Sequence, residues 1–581
     1  MLLKVHIDDR NYSSWKWYDG FTLESVESDK NPLTLKMFSD DVIEVNDNGN
    51  EVLIHSSIRQ MKYMPGILLL TGKTFGRHSA NKLIYQCIPD DKRMPIFLIP
   101  YELKPGFNKN PVDIYVTFTF VEWTNKHPTG KLTNNLGKVS ELNNFYEYQL
   151  YCKSLNASIQ DFTKKTTDAL KQRTEAEFIQ IIMETHPQIQ DRTCDHILSI
   201  DPFKSLDIDD AVGIKIINNN TNEDVQMTPT EAIVSIYIAN VAVWMDTLNL
   251  WNSFSERIST IYLPDRKRPM LPNILSDCLC SLQEQSKRFA YHLDVKINLN
   301  SHKIINIEFG SSLIKVFKNY RYETEELLRD DTYKKIFELL QSMSREHKLL
   351  TNIKDSHDVI AYLALLINKT CADKMCEFQN GIYRTLKLNS GENSDVIPQS
   401  VPDDIIKFLK IWRSSSGQYS TFNDQCGHSL VNDGVDAYIT VSSPIRRLVD
   451  LLNSIKLQEN LGILNLSQNA IEFYNKWLDR LGYINMTSRA IRKVQSDCTI
   501  LDMISRQPDM TTVCHEGYVF DRICRNDGLF QYIVYLNKLK IVSRITVRNN
   551  IEDYEKVSFK IFLFNDENTL KKKIRLQMLY E

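Results

Sequence analysis

The sequence has 581 residues, of which 42% are hydrophobic and 25% are charged, and its formal net charge is −3 at pH 7. This composition excludes a largely disordered chain, and the length predicts roughly three to five domains. A net charge so close to zero argues against a surface covered with positive charge, so a nucleic-acid partner would have to bind local patches or a lined channel.

The sequence carries no recognisable targeting or membrane segment. MLLKVHIDDR at the N-terminus lacks the apolar centre of a signal peptide, and no apolar run approaches the length that spans a membrane. The eleven cysteines are scattered, and the close pairs are Cys278 with Cys280 and Cys371 with Cys376. Neither pair is accompanied by another pair or by histidines at zinc-ligand spacing. We therefore expect a cytoplasmic protein with reduced thiols and no membrane association.

Residues 1 to about 185 are predicted to form mostly short strands separated by turns. Examples are GILLLTG, KLIYQCI, MPIFLIPY and DIYVTFTFVEW. Many short strands with Gly and Pro turns are typical of small β-barrels or sandwiches, and two barrels of the oligonucleotide-binding (OB) type fit the length. Exposed aromatic residues on such barrels often stack on bases, but a place in the core is the interpretation that we favour for Trp15, Trp17 and Tyr18.

The pattern changes along the rest of the chain. A helical linker is predicted over about 156–192, alternating strand and helix signals follow to about residue 500, and the last seventy residues return to strands, which predicts a third small barrel. One clear helix is predicted in SSPIRRLVDLLNSIKLQENLG, with Ser443 as N-cap, Pro444 at the first helical position and Gly462 as the stop. Its predicted buried residues are Ile445, Leu448, Val449, Leu452 and Ile455.

Four aspartates lie within ten positions of SIDPFKSLDIDDAV, namely Asp201, Asp207, Asp209 and Asp210. Like charges about 4 Å apart repel by roughly 4 kcal/mol per pair at an effective dielectric constant near 20, so such a cluster between two apolar strands needs an explanation. Oxygen ligands of this kind suit Mg²⁺ or Mn²⁺, and two such ions about 4 Å apart would promote in-line displacement at phosphorus. A solvated acidic loop is the alternative, and the spacing alone leaves both open. A DxDD string also occurs in isoprenoid cyclases, but the strand-rich flanks do not fit their helical barrel.

Arg446 and Arg447 lie in the first turn of the predicted helix. Positive charge is electrostatically disfavoured at a helix N-terminus, so a nearby phosphate would explain its presence there. Adjacent helical positions point about 100° apart, so only one of the two arginines would face a given phosphate. The alternative, which the spacing favours, is a solvated arginine pair that bridges to Asp450.

Several motifs in order along the chain resemble the RNase II / RNase R (RNB) family of exoribonucleases. Over residues 195–500 these are SIDPFKSLDIDDAV, YIANVAVWM, STIYLPDRKRPMLPNILSDCLCSL, NYRYETEELL, LLINKTCADKM and SSPIRRLVDLL. Before them, CIPDDKRMPIFLIPYEL and FVEWTNKHPTGKLTNNLG are similar to the two cold-shock domains of that family. The resemblance implies an α+β multidomain chain in which small OB barrels flank a large mixed α/β domain. The implied domains are an N-terminal cold-shock-like OB domain over 1–105, a second one with a helical linker over 106–190, an RNB catalytic domain over 191–508 and a ribosomal-protein-type OB domain over 509–581.

The resemblance implies a hydrolytic 3′-to-5′ exoribonuclease that uses Mg²⁺ or Mn²⁺ and degrades single-stranded RNA to nucleoside 5′-monophosphates. Asp201 and Asp210 would be metal ligands, with Asp207 and Asp209 completing the site. Arg446 would stabilise charge that develops on phosphorus. The implied substrate-binding residues are Tyr262, which would stack on bases, Tyr322, which would pack against the 3′-terminal nucleotides, and Arg447. For both tyrosines the alternative is a place in the core.

Several positions depart from the family pattern. Ala361 stands where the family has a glutamate, Asn240 ends a YIAN segment instead of HIAD, and Asn453 replaces a histidine. Gln495-Ser496 stands in place of Ala-Glu. All four aspartates that the resemblance assigns to metal binding are present. The changes are therefore expected to affect the rate of hydrolysis, the length of the end product and substrate affinity. A catalytically silent RNA-binding protein and a structural subunit of an RNA-processing complex are the alternatives, and otherwise we expect a monomer.

Overall fold

The computed structural model describes two compact units. The described residues are 1–46, 50–79, 82–103, 111–217, 230–347, 353–385, 398, 401–402, 404–406, 408–409, 412, 417–422 and 437–579. One unit comprises Met1–Asn156, Leu263–Arg266 and Arg492–Glu581, and the other comprises Ala157–Tyr262 and Lys267–Ile491. The domain boundary predicted at residue 105 lies outside the described residues, and the four domain ranges stay predictions.

The first sheet of the chain has five antiparallel strands. They are β1 (Leu2–Ile7), β2 (Trp15–Asp19), β3 (Ser25–Val26), β4 (Val42–Val45) and β5 (Glu51–His55), in the order β3-β2-β1-β4-β5. Alternate residues of β1 are buried, as expected for a strand with one face on a core. Trp17 is buried in that core and Trp15 packs against it, while Tyr18 is only half-buried.

The second sheet closes into a small barrel after a short helix, α1 (Ser57–Gln60). Its strands are β6 (Met64–Leu68), β7 (Arg77–Ser79), β8 (Lys82–Pro89), β9 (Phe97–Tyr101), β10 (Ile114–Glu122) and β11 (Thr129–Lys138). The order is β6-β10-β11-β9-β8-β7, and β6 also pairs with β8, which joins five of the strands into a ring. Each of the four quoted strand segments forms a strand here. Strands on both sides of residue 105 pair in this one sheet.

Helices connect the barrel to the large sheet. They are α2 (Leu142–Cys152), α3 (Gln160–Leu170) and α4 (Glu175–Thr185). Helix α4 begins with a capping box in which Thr174 and Glu177 each bind the other's backbone N–H group. The linker predicted as helical over 156–192 is therefore two separate helices, because Thr174 starts a new helix inside it.

The large unit is built on a seven-stranded mixed sheet. Its strands are β12 (Gln190–Arg192), β13 (Ile197–Asp201), β14 (Asp210–Ile217), β15 (Glu231–Ala239), β18 (Lys287–Asn298), β19 (Ile304–Lys315) and β20 (Lys318–Arg321), in the order β12-β19-β18-β15-β14-β13-β20. Two short hairpins accompany it, formed by β16 (Ile261–Tyr262) with β17 (Lys267–Arg268), and by β21 (Ile382–Thr385) with β22 (Gln418–Thr421). Only the edge strands β12 and β20 pair in parallel with their neighbours.

Helices contribute the other side of the core of this unit. They are α5 (Val241–Thr247), α6 (Glu325–Arg329), α7 (Asp331–His347), α8 (Ser356–Glu377), α9 (Leu448–Leu461) and α10 (Gln468–Leu478), with shorter turns of other helix types at Trp251–Ser253 and Ile274–Leu279. Val359, Tyr362 and Leu366 of α8 are buried in one cluster with Leu198 of β13 and Ile236 of β15. Burial of these apolar residues fixes α8 against the end of the sheet that carries the aspartates.

The long helix α11 (Leu481–Arg506) leads to the C-terminal strands. After a short turn of 3₁₀ helix at Pro508–Thr511 follow β23 (Cys514–Cys524), β24 (Phe530–Leu536), β25 (Ile541–Val547), β26 (Lys556–Asn565) and β27 (Lys572–Met578). They form an antiparallel sheet in the order β25-β24-β23-β26-β27, with its own apolar core, and the edge strands β25 and β27 lie next to each other. The barrel predicted for the last seventy residues is confirmed. No helix in the described part of the chain is long and apolar enough to cross a membrane.

The helix predicted from Pro444 begins later than expected. Helix α9 starts at Leu448, and Arg447 precedes it with an extended backbone. The predicted start is wrong because the backbone before Leu448 pairs with another segment: Thr260 donates to the carbonyl of Arg446, and Leu448 donates to that of Ile258. The predicted stop at Gly462 is confirmed, since Gly462 caps the helix with a φ of 64°. All five predicted buried residues are buried.

Candidate active site

The strand register brings three of the predicted site residues to one end of the large sheet. Strands β13 and β14 are antiparallel, with Leu198 opposite Val212, so Asp201 at the end of β13 lies beside Asp210 at the start of β14. Strand β20 runs parallel to β13 and pairs Arg321 with Asp201, so Tyr322 follows at the same end. Asp201 is thus a neighbour of Asp210, which lies nine positions later in the sequence, and of Tyr322, which lies more than a hundred positions later.

Asp201 and Asp210 form the part of the acidic cluster that makes no ion pair among the described residues. Burial raises the pKa of both carboxyl groups. The charge of Asp209 further raises the pKa of Asp201, the charge of Asp201 further raises that of Asp210, and the more distant charge of Arg446 lowers both. The Ser199 hydroxyl donates to Oδ2 of Asp201 at 2.9 Å. Two desolvated carboxylates that repel each other gain stability from a cation placed between them.

Asp209 is 2% exposed and is held by two donors from the segment before α9. The backbone N–H of Ile445 donates to its Oδ1 at 2.9 Å, and Nε of Arg446 donates to its Oδ2 at 2.9 Å. Burial raises the pKa of Asp209 to about 7, and the positive charge of Arg446 opposes that shift. The Arg446 side chain remains 45% exposed, so its guanidinium group is oriented by Asp209 and still reaches open space.

Asp207 is held by the short hairpin of β16 and β17. The Tyr262 hydroxyl donates to Oδ2 of Asp207 at 2.8 Å, and Nζ of Lys267 donates to Oδ1 at 3.0 Å. Tyr262 and Lys267 are direct partners in this hairpin, which fixes both donors on one side of Asp207. Nζ of Lys267 also donates to Oδ1 of Asp277 at 2.8 Å. Lys267 and Asp277 were missed by the sequence analysis, although both lie in a quoted motif.

The loop that carries the aspartates is anchored through Ile208. Its side chain is buried, its N–H donates to the Ser281 hydroxyl at 3.1 Å, and its carbonyl accepts from Leu282. The buried side chain of Ile208 and these two hydrogen bonds fix the loop between Asp207 and Asp209. They do not share a partner, because Lys267 and Arg446 approach from different segments.

Tyr322 lies next to the acidic pair, with one face covered. Its ring stacks on His357 in the first turn of α8, with 3.8 Å between ring centroids and 9° between ring planes. Burial and then the charges of Asp210 and Asp201 raise the pKa of Tyr322 to about 12. The ring is half-buried at the edge of the core cluster, so the structure leaves both the substrate role and the core role open.

Arg447 forms an ion pair inside the fold. Its Nη2 lies 2.9 Å from Oδ2 of Asp450, which is fully buried. The same Oδ2 accepts the backbone N–H of Ser443 at 2.9 Å. The bridge to Asp450 that the sequence analysis gave as an alternative is confirmed for Arg447, although Asp450 is fully buried and only a third of the Arg447 side chain is exposed. A substrate-binding role for Arg447 stays a prediction.

Two of the departures from the family pattern have structural roles here. Asn240 caps α5 by accepting from Val243 and donates to Gln458 at 2.7 Å. Asn453 is buried, accepts the N–H of Ile382 and donates to the carbonyls of Ile382 and Thr440. These amides satisfy buried backbone groups, as buried polar side chains generally do.

At the position of the family glutamate the structure supplies no acidic replacement. Ala361 is exposed on α8. Asp358, one turn earlier, is buried, and its Oδ2 accepts the backbone N–H of Lys354 at 3.1 Å. Asp358 therefore stabilises the start of the helix.

The side chains present suit one small divalent cation better than several. The described residues include no group of three or more His, Cys, Asp or Glu side chains arranged to hold a metal ion. Both carboxylate oxygens of Asp207 and of Asp209 accept from protein donors, whereas Asp201 and Asp210 have no cationic partner in the described structure. Mg²⁺ often binds through one or two carboxylates, with waters and substrate phosphate completing its shell. Asp201 and Asp210 fit that pattern, and the four-aspartate assignment stays a prediction.

Comparison with known families identifies two domains in the chain. Residues 189–354 match the RNB domain model, and residues 84–148 match the model of the Dis3-like cold-shock domain 2 (CSD2). DIS3-like exonuclease 2 of Schizosaccharomyces pombe is 26% identical over 246 residues, which cover 40% of this chain and 25% of that protein. The matched region thus spans about a quarter of the length of that relative. The resemblance to the RNB family is confirmed.

Comparison with solved structures confirms the fold class. Mycoplasma genitalium RNase R in complex with ribose methylated single-stranded RNA superposes with a TM-score of 0.65 and 16% identity, covering 99% of this chain and 100% of that chain. Yeast Ssd1, a pseudonuclease, superposes with a TM-score of 0.58 and 14% identity, covering 96% of this chain and 80% of that chain. At these identities the likeness shows the shared fold, and that fold occurs in both a ribonuclease and a pseudonuclease.

Proposed function

We propose that this chain, which contains an RNB domain over residues 189–354, is a metal-dependent exoribonuclease that hydrolyses single-stranded RNA from its 3′ end and releases nucleoside 5′-monophosphates. The observation that carries the proposal is the desolvated pair of Asp201 and Asp210, which forms no ion pair among the described residues and lies beside Tyr322. The exonuclease names of the curated relatives support the reaction class. Direction and metal dependence belong to the proposal alone.

The cation belongs between Asp201 and Asp210. When bound there, Mg²⁺ or Mn²⁺ would supply Lewis-acid chemistry and lower the pKa of a bound water. The chain contributes the two carboxylates in a fixed geometry, because one ends β13 and the other begins β14. A rigid, partly dry sheet edge keeps the two negative charges ready to receive a cation.

Arg446 is the residue placed to stabilise negative charge on the scissile phosphate. Asp209 and Ser443 fix its guanidinium group through contacts of 2.9 and 3.1 Å. Nearly half of the side chain remains exposed, so N–H donors are available to a phosphate oxygen. Preorganised donors of this kind act where charge develops in the transition state.

Single-stranded RNA is the proposed substrate. Tyr262 is 42% exposed on the hairpin beside Asp207, and its ring can stack on any base. Tyr322 lies half-buried next to the acidic pair, with its ring stacked on His357. The Mycoplasma genitalium neighbour was solved in complex with single-stranded RNA, which supports this choice of substrate for a chain of the same fold.

An RNA degradation assay tests the proposal directly. Single-stranded RNA labelled at its 5′ end should shorten to a descending ladder when the full chain and Mg²⁺ are added, and EDTA should stop the reaction. Asp210→Asn should lose this activity, because one of the two free carboxylates is removed. Asp373→Asn, an exposed aspartate of α8, is the matched control and should retain it. Equal ladders with and without EDTA would contradict the proposal.

A catalytically silent RNA-binding protein is the second candidate. Two observations favour it: the fold is shared with a pseudonuclease, and two of the four aspartates are already paired with Arg446 and Lys267. In the same assay a silent protein would leave full-length RNA that is nevertheless shifted on a native gel. The two candidates therefore give opposite results with one labelled substrate.

A further inference from the structure

Among the described residues, Lys267 is the lysine that forms an ion pair with one of the four clustered aspartates, Asp207. Its Nζ lies 3.0 Å from Oδ1 of Asp207 and 2.8 Å from Oδ1 of Asp277. The three side chains are largely buried, with 22% of Lys267, 8% of Asp207 and 14% of Asp277 exposed. Hairpin pairing with Tyr262 sets the position of the lysine. An ammonium group is therefore built into the cluster at a fixed place.

The contact differs from an ordinary surface ion pair. Exposed pairs contribute little because water screens them and flexible side chains must be ordered. Here the ammonium bridges two carboxylates of low exposure, and the second oxygen of Asp207 is occupied by Tyr262 at 2.8 Å. Burial lowers the pKa of Lys267, but hydrogen bonds to Asp277 and Asp207 outweigh that effect and the net shift is upward, so the group keeps its charge.

We propose that the Lys267 ammonium group takes the charge-neutralising place at Asp207 that a second divalent cation would need, so that the site binds one divalent cation, on Asp201 and Asp210. This inference rests on the function proposed above. A divalent cation on Asp207 would lie within a few ångströms of the ammonium group and would be repelled by its charge. Each carboxylate oxygen of Asp207 also already accepts a hydrogen bond, from Tyr262 or from Lys267. Asp201 and Asp210 carry no such obstacle.

Lys267 acts on the reaction through Asp207 and is therefore a positioning residue. An ammonium group neutralises a carboxylate, but it cannot coordinate water or a phosphate oxygen as a metal ion does. Its three N–H donors can hold Asp207 in place, and Asp207 in turn orients the hydroxyl of Tyr262. The hairpin thus carries both the lysine that neutralises Asp207 and the exposed tyrosine, Tyr262, whose hydroxyl group binds Asp207.

Counting bound Mn²⁺ tests the inference without measuring activity. Free Mn²⁺ in titrations of the full chain is read by electron paramagnetic resonance, and the Asp201→Asn/Asp210→Asn double variant gives the background bound elsewhere. The parent chain should bind one Mn²⁺ above that background, and Lys267→Met should bind two. Asp277→Asn, which leaves Lys267 on Asp207, and Lys215→Met, an exposed lysine of β14, should each bind one.

Two outcomes would overturn the inference. These are two Mn²⁺ bound above background by the parent chain, and a count that stays at one in Lys267→Met. If Lys267→Met does not fold, Asp207→Asn tests the same inference. This variant should still bind one Mn²⁺. Loss of that ion would show that Asp207 is a metal ligand and would overturn the inference.

The same samples separate this inference from the proposed function. A parent chain that shortens RNA and binds two Mn²⁺ would contradict the inference and support the proposed function. A parent chain that binds one Mn²⁺ and leaves RNA intact would support the role of Lys267 and contradict the nuclease assignment. A count of zero above background would overturn both.

Discussion

At the scale of single residues, the four aspartates differ in environment although they lie within ten positions of each other. Asp209 is buried and paired with Arg446, and Asp207 is held by Lys267 and Tyr262. Two carboxylates therefore orient protein groups, and the proposed function assigns the other two, Asp201 and Asp210, to the metal ion. This division predicts different consequences for their substitution.

Asp209→Asn should lower the rate of RNA hydrolysis by roughly 100-fold or more, because Arg446 loses the carboxylate that orients it. RNA affinity should stay the same or increase, since a negative charge near the phosphates is removed and Arg446 is freed to bind them. Single-turnover hydrolysis and a gel-shift titration measure the two effects. The matched control is Asp373→Asn, and a variant with the parental rate would contradict the role given to Asp209.

The ionisation of the cluster predicts a pH-dependent response to Mg²⁺. Burial raises the pKa of Asp209 to about 7 and also raises those of Asp201 and Asp210, so the folded chain binds more protons than the unfolded chain between about pH 4 and pH 7. The stability that the neutral carboxyl groups contribute is lost as the pH rises through that window. A bound cation offsets the loss only where the groups are ionised.

Saturating Mg²⁺ should therefore raise Tm more at pH 8 than at pH 5.5. Differential scanning calorimetry of the full chain at both pH values measures the shift. The Asp201→Asn/Asp210→Asn double variant should show no such difference, because the proposed ligands are gone. An equal Tm shift at both pH values in the parent chain would contradict the assignment of buried, protonatable ligands.

At the scale of elements, most of the sequence signals that depend on local pattern predicted the observed structure. The strands of the N-terminal barrel, the buried face of α9 and the stop at Gly462 follow from period and capping, and all are confirmed. The start of α9 was wrong because Ser443-Pro444 looks like a helix start, whereas the backbone of residues 446–448 pairs with residues 258–260. Pairing with a distant segment leaves no local signal.

The end of α9 gives a stability test with an internal control. Gly462→Ala should destabilise the chain by roughly 1–2 kcal/mol, because the residue has a φ of 64° and an L side chain is strained there even though its Cβ would meet no atom within 4 Å. Gly482→Ala in α11, also with open space at Cβ but without a positive φ, should stabilise it by up to about 1 kcal/mol. Calorimetric unfolding measures both, and shifts of the same sign would contradict the argument.

The site itself was only partly predictable, for reasons that act at the scale of the whole chain. Spacing identified the four aspartates as a cluster, but it did not show that Asp207 pairs with Lys267 and Asp209 with Arg446. The contact of Lys267 with Asp207 could not be predicted from the sequence, because a lysine in a charged stretch is usually solvated and Asp207 lies 60 positions away. The neighbourhood of Tyr322 and the acidic pair depends on a parallel pairing of β20 with β13, which no local pattern specifies.

The whole chain combines barrels of the kind that bind nucleic acids with one acidic sheet edge. An RNB domain over 189–354 and a Dis3-like cold-shock domain over 84–148 are identified in the chain. Under the proposed function, a net charge of −3 means that attraction to RNA would come from local groups such as Arg446, Tyr262 and Tyr322. The end of the RNA at which hydrolysis starts is the central property of that proposal.

Release of the terminal nucleotide measures that property most directly. Single-stranded RNA labelled within its last 3′ nucleotide is mixed with excess full chain, and the first product is identified with Mg²⁺ and with EDTA. The expected first product is a labelled nucleoside 5′-monophosphate, whose release requires Mg²⁺ and is absent with Asp210→Asn. Label that appears first in an oligonucleotide, or a mononucleotide released equally in EDTA, would contradict it.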